Sequence, residues 1–257
     1  MHDLVKEICG AHRERRFFMK MRIQACGMLT SFVRQQIGWR LDLPLCDRKR
    51  LESQALRMAK EGVEEGHPLY KSIAAASCAR RPFDKLERDA KKKMEDLAKQ
   101  LPVWQAWGED VRAFGPLCLA IIVGEAGNLS SYETHSKLWK RMGLAVIDGV
   151  RQGGLNKSAP KEDWIAHGYN GNRRSQMSII GESLIRGGEF YRKVYLLRKK
   201  YERAQAGHIG LIVSPAGNIP KGQEYLYISD GHIHQRSKRY MEKKLLRDLW
   251  NAWRHSA

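Results

Sequence analysis

Acidic side chains are scarce in this sequence. Across 257 residues, 28 Asp and Glu face 46 Lys and Arg, a formal net charge of +18. A deficit of that size excludes a surface whose charges merely cancel, and it calls for a polyanionic partner, usually nucleic acid. Long apolar runs are also missing. The longest, LCLAIIV at 117–123, falls well short of the roughly 20 residues that cross a bilayer, so no membrane association is expected. The opening MHDLVKEICGAHRERRFF has no apolar segment of the secretory type. Cysteines number five (Cys9, Cys26, Cys46, Cys78, Cys118) and form no C-x-x-C pair. That excludes a disulfide framework and a thiolate metal site, and implies reduced, mostly buried thiols in a cytoplasmic protein. His232 and His234 stand two apart, with His208 upstream, but no metal constellation emerges and no cofactor is expected.

Helical periodicity dominates what is present, so the expected fold class is mainly α. Helices are expected over 4–37, 48–60, 70–79, 83–100, 134–142, 172–186, 189–206 and 234–254. A further helix over 109–123 is interrupted by Gly115-Pro116, with Pro116 suited to the first helical position. Expected inward positions are Phe17, Met21, Met28 and Phe32 in the first helix. They are Phe190, Val194, Leu197 and Tyr201 in the 189–206 helix, and Tyr240, Leu245, Leu249 and Trp253 in the last. Asp47 and Asn172 read as N-caps, Pro82 as a helix start, and Gly38 and Gly143 as C-terminal glycines. Short apolar pieces at 211–213 and 225–228 are expected to pair as a minor β-hairpin. A boundary near 101–102 divides a helical region, 1–101, from a domain over 102–206. Residues 207–257 then form a turn-rich segment and a basic helix.

The stretch 111–186 organises the chain. Its short helix, Gly-Pro turn and apolar helix outline a helix-hairpin-helix unit. A glycine-rich basic loop over 144–163 then leads through WIAHGYNG to a helix starting with Arg173 and Arg174. Cations in a first helical turn oppose the helix dipole, which is explained if an anion docks there. The candidate nucleic-acid contacts are Lys140, Arg141, Arg151, Lys157, Lys161, Arg173 and Arg174, joined by Arg236, Lys238, Arg239 and Lys243 of the last helix. Arg13, Arg15, Arg16, Lys20 and Arg22 form a further basic group. Trp104 and Trp107 read as a hydrophobic plug between helices, with base stacking as the alternative.

Gly115-Pro116, Gly124-Glu125-Ala126-Gly127, Gly143-Leu144, Gly153-Gly154 and Gly171-Asn172 with Arg174 follow one another in an order that resembles the C-terminal domain of the DEDD-type insertion-sequence transposases, the RNA-bridge recombinases. The terminal HIHQRSKRYMEKKLLRDLW is similar to the closing helix of such elements. The resemblance covers well under half of the chain. It implies DNA or RNA handling in a mobile-element setting. Residues 1–100 read as helical and lack the family's nuclease half, with its four acids on strands. The place of the family's nucleophilic serine is held here by Gln152 or Arg151. Ser158, with His167 as its nearest base, is the one weak catalytic candidate.

The expected function is therefore nucleic-acid binding without catalysis, DNA ahead of RNA, in a phage or mobile element. The alternative is an active transposase or recombinase, which would need Mg²⁺. A homo-oligomer and a protein-interaction role for the Trp104/Trp107 patch are further expectations.

Overall fold

The computed structural model describes residues 1–147, 149–156 and 158–256. The backbone is mainly α-helical, with two small two-stranded sheets. It divides into two compact units, one over Gly10–Lys93 and one made of Met1–Cys9 with Met94–Ala257. The division falls inside helices rather than in a linker.

The smaller unit holds most of α1 (His2–Gln36), α2 (Leu45–Glu61) and most of α3 (Tyr70–Lys99). Its core is Leu29, Val33, Ala55, Met58, Ala59 and Ile73. The expected inward stripe of α1 is not this face: Phe17, Met28 and Phe32 are exposed. The helix buries Val5, Ile8 and Ala11 at one end and Leu29 and Val33 at the other, and no hydrophobic residue between them is buried. Helical spacing marks a face only where a neighbour covers it. The basic group on α1 is partly structural. Arg15 is buried, and Arg22 Nε donates to Glu87 at 2.7 Å.

α2 starts at Leu45 behind Pro44, which supplies no side-chain cap. Asp47 lies in the first turn, where its charge favours the helix dipole without capping. Pro82 does not start a helix; α3 runs through it. An internal proline removes one backbone bond and costs about 3 kcal/mol. Burial of Ile73 before it and of Ala90, Met94 and Leu97 after it holds both halves in place. Arg80 Nε also bonds Asp84 at 3.2 Å across the proline.

In the larger unit, Trp104–Gly108 forms a single π-helical turn. Gly108 is needed there, because a Cβ would stand 2.7 Å from the Trp104 ring. Trp107 meets Phe114 edge to face at 5.4 Å. Residues 109–114 are turns and a bend rather than helix. Gly115 then caps α4 (Pro116–Ala126), with Pro116 at its start and Leu119 to Val123 buried. α5 (His135–Arg141) is capped by Thr134, whose Oγ1 accepts from the Lys137 N–H. β1 (Val146–Ile147) and β2 (Val150–Arg151) pair antiparallel as a minor hairpin. α6 (Lys161–His167) and α7 (Gly171–Gly187) follow. The α7 cap is Asn170 rather than Asn172: its Oδ1 accepts from the N–H groups of Asn172 and Arg173 at 2.9 and 3.2 Å.

The chain closes with α8 (Glu189–His208), β3 (Ile212–Ser214), β4 (Tyr227–Ser229) and α9 (Asp230–Ser256). The two apolar pieces expected as a hairpin do pair, but in parallel. Their connection includes two 3₁₀ turns and is long enough to return the chain to the same end, which a tight turn cannot do. α9 packs against α5, α7 and α8, and buries Met241, Leu245, Leu246, Leu249 and Trp253. The indole N–H of Trp250 donates to the Tyr132 carbonyl at 3.0 Å and that of Trp253 to Asn128 Oδ1 at 3.2 Å.

The inward face of α8 is one residue away from the expected one. Tyr191, Tyr195, Glu202 and Ala206 are buried, whereas Phe190, Leu197 and Tyr201 are exposed, as is Tyr240 on α9. The two tyrosines can go inside because their hydroxyls find partners: Tyr191 donates to Asp248 at 3.0 Å, and Tyr195 meets His234 Nδ1 at 2.8 Å. The thiols also differ from expectation, since Cys46 and Cys78 are exposed and Cys9, Cys26 and Cys118 only partly covered. Among the described residues, no helix is long and apolar enough to cross a membrane.

The cap assignment is directly testable. Asn170→Ala should lower unfolding free energy by about 1 kcal/mol and Asn172→Ala by only a few tenths. Equal losses in urea denaturation of the two variants would contradict it.

Candidate nucleic-acid interface

The Asn170 cap sets the direction in which α7 begins, and so where Arg173 and Arg174 point. Arg173 Nε lies 3.3 Å from Glu125 Oε2, a nearly buried carboxylate of α4. Arg141 Nε donates to the Glu125 backbone carbonyl at 3.1 Å. α5 and α7 thus converge on the end of α4. Burial, and then the nearby Arg141 charge, lower the pKa of the Arg173 guanidinium.

Arg174 turns the other way, toward α9. Its Nη1 stands 2.9 Å from Glu242 Oε2. The two are close enough for strong attraction, although they are not aligned as a hydrogen bond. Glu242 is fully buried, and burial pushes its carboxyl up to about 7 against the pull of Arg174, Lys238 and Arg239. The close approach depends on Gly181 of α7. A Cβ there would stand 2.6 Å from Glu242 Oε1 and 3.2 Å from Lys238 Cγ.

Lys238 belongs to this interior rather than to the surface. It is 2% exposed, and its Nζ donates to Ser178 Oγ at 2.9 Å and to Glu182 Oε1 at 2.6 Å. The bond from Lys238 holds the Glu182 carboxyl below its usual range. Lys238 was expected to contact nucleic acid; its ammonium is instead spent on neighbouring helix side chains. Arg236 is likewise engaged, its Nε 3.0 Å from the buried Glu202 of α8.

Outside this layer lies a group of cations. Arg239 is partly buried, and its Nε has no hydrogen-bond partner. Burial, then the charges of Arg174 and Arg151, lower its pKa. Arg151, on β2, is exposed. The Lys243 pKa is lowered by burial and then by Arg239. Its Nζ lies 5.0 Å from the centroid of the Trp139 ring, and the Trp139 indole donates to the Lys243 carbonyl at 3.0 Å. Arg151, Arg174, Arg239 and Lys243 therefore come together from β2, α7 and α9. Gly143 permits the close approach of the end of α5 to the start of α7. Its φ is +75°, and a Cβ would meet Arg174 Cβ at 3.2 Å and the Tyr169 ring at 3.4 Å.

Other expected contacts stand elsewhere. Lys140 is exposed and donates to the Ala166 carbonyl at 3.2 Å, tying α5 to α6. Lys161 is exposed at the start of α6. Lys157 lies outside the described residues. Arg13, Arg16 and Lys20 belong to α1 in the smaller unit. Ser158 is exposed, and its backbone N–H donates to Asn156 Oδ1 at 3.3 Å. His167 Nε2 donates to the Gly153 carbonyl at 2.7 Å, so its ring is committed to the loop and not to Ser158. Among the described residues, no group of three or more His, Cys, Asp or Glu side chains converges as a metal site.

Sequence reasoning missed Glu125, Glu242, Trp139 and Tyr169. One signal was available: Glu242 is a rare acid in a basic helix, four positions after Lys238. Comparisons with protein-family models, with curated proteins and with solved structures find no match to this chain.

Glu242 gives a pH prediction. Its folded pKa, about 7, lies above its ordinary value of 4.5. The folded state therefore binds the proton more tightly, and this group's contribution to stability falls as pH rises from 4.5 to about 7. Glu242→Gln should flatten the Tm-versus-pH curve over that window. A variant curve parallel to that of the unsubstituted protein would refute the assignment.

Proposed function

We propose that this chain binds nucleic acid, DNA in particular, by its phosphates. The contact surface is Arg151, Arg174, Arg239 and Lys243. One observation carries this reading. Arg239 of α9 is partly buried beside the like charges of Arg174 of α7 and Arg151 of β2, so that burial first and then those two guanidiniums lower its pKa, and Glu242, the carboxylate that opposes this, is itself fully buried. Such repulsion costs stability in the free protein and is relieved when a polyanion docks. Trp139 beneath Lys243 and Tyr169 near Arg239 add flat rings beside the cations. The order of motifs shared with insertion-sequence transposases supports a mobile-element setting. The commitment of His167 to Gly153 favours binding over serine chemistry.

Fluorescence anisotropy with labelled duplex DNA across a salt series tests this. Four neutralised phosphates give a slope of log K against log salt of about −3.6. A combined Arg151→Ala, Arg239→Ala, Lys243→Ala variant should lose most of that slope. Lys238→Ala should lower Tm and leave the slope alone. Salt-independent binding, or a slope that survives the triple substitution, would contradict the proposal.

A further inference from the structure

Leu197 and Tyr201 of α8 and Tyr240 of α9 have the spacing of core residues, yet they are 70%, 50% and 47% exposed. They line a groove of about 360 Å³ between two helices that pack together. Positions 194, 197 and 201 on α8, and 240, 244 and 247 on α9, are spaced so that each set shares one face of its helix. The two faces supply the groove's apolar floor and its rim.

The rim is cationic and the rings are already engaged with a planar cation. The Arg198 guanidinium lies 4.5 Å from the Tyr201 ring centroid and 4.6 Å from that of Tyr240. Arg198 is held in this position from below, by bonds of 2.8 and 2.6 Å to the buried Glu202. Lys244 is steadied by Asp248 at 2.6 Å, and Arg247 is exposed. Among the described residues, no carboxylate lines the groove. Two accessible rings and a fixed guanidinium make a flat, electron-rich and cationic platform. Its physical complement is a flat heterocycle carrying negative charge nearby. Nucleotide bases meet that description only when unpaired, because bases stacked inside a duplex do not present their faces.

We infer that the α8–α9 groove is a stacking site for unpaired nucleotides, with Tyr201 and Tyr240 taking the bases and Arg198, Lys244 and Arg247 the adjoining phosphates. This rests on the nucleic-acid reading above and narrows it: the groove takes single strands, whereas the Arg151/Arg174/Arg239/Lys243 surface takes phosphates of either form. The sugar is not read by a ring stacked on a base, so DNA and RNA strands are equivalent at this site.

The test is anisotropy of the full chain with labelled oligo-dT, oligo-U and a blunt DNA duplex of equal length. Tyr201→Leu and Tyr240→Leu should each weaken both single strands about tenfold, equally for dT and U, with duplex affinity unchanged. The Tyr→Phe forms should retain binding. An iodouracil-containing strand should crosslink to Tyr201 or Tyr240, located by mass spectrometry. Far-UV circular dichroism and Tm establish that the variants fold. Single-strand affinity untouched by both Leu variants overturns the inference while leaving the nucleic-acid reading intact. So does a protein dimer that the Leu variants dissociate without changing strand binding. Failure of the unsubstituted chain to bind any of the three probes overturns the broader reading instead.

Discussion

The larger unit depends on the contact between Gly181 of α7 and Glu242 of α9. An added Cβ at Gly181 would collide with the carboxylate, so glycine sets how near the helices come. That distance seals Glu242 from water and brings it to Arg174 at 2.9 Å. Desolvation of the carboxylate opposes this arrangement, and the charges of Arg174, Lys238 and Arg239 support it. Buried ion pairs of this kind contribute little net stability, but loss of one partner leaves an uncompensated buried charge and is costly. They fix geometry more than they add strength. Here the geometry fixed is the start of α7 against the middle of α9.

The cationic surface follows from that geometry. Neighbouring positions on α9 have opposite fates. Lys238 and Glu242 point inward, whereas Arg239 and Lys243, one step along the helix from each, point outward next to Arg174 and Arg151. Six named cations are spent on structure or tied to the backbone of neighbouring segments: Lys238, Arg236, Arg173, Arg141, Lys140 and Arg22. Arg151, Arg239 and Lys243, together with Arg174 beside the buried Glu242 it pairs with, form the proposed contact surface. Net charge alone does not separate the two sets, because it counts a buried, paired ammonium the same as an exposed one.

Much of the backbone was legible in the sequence. Gly115-Pro116 opens α4 and Gly143 follows α5 because each has a local, short-range cause: a proline already set for a helix start, and a turn requiring positive φ. The helical content of both units follows from apolar spacing. Which face turns inward was less legible. In α8, the buried set lies one residue from the apolar one and includes Glu202; it is the set whose tyrosine hydroxyls reach Asp248 and His234. Those partners are distant in sequence, so periodicity cannot choose between the sets. The same holds for Lys238, an apolar stem with a charged tip, whose partners lie on α7. Asn170 and Asn172 both precede a helical run, and only the backbone path shows which side chain bends back onto the first N–H groups. The parallel pairing of β3 and β4 depends on the route of the long connection between them, and that connection has no regular pattern to read.

Hydrogen–deuterium exchange of the full chain with and without bound DNA tests the central claim most directly. Slowed exchange should concentrate in residues 149–153 and 168–175 and at the exposed ends of α5, which frame Arg151, Arg174, Arg239 and Lys243. Protection confined to residues 10–93, or no protection at a DNA concentration that saturates binding, would contradict it.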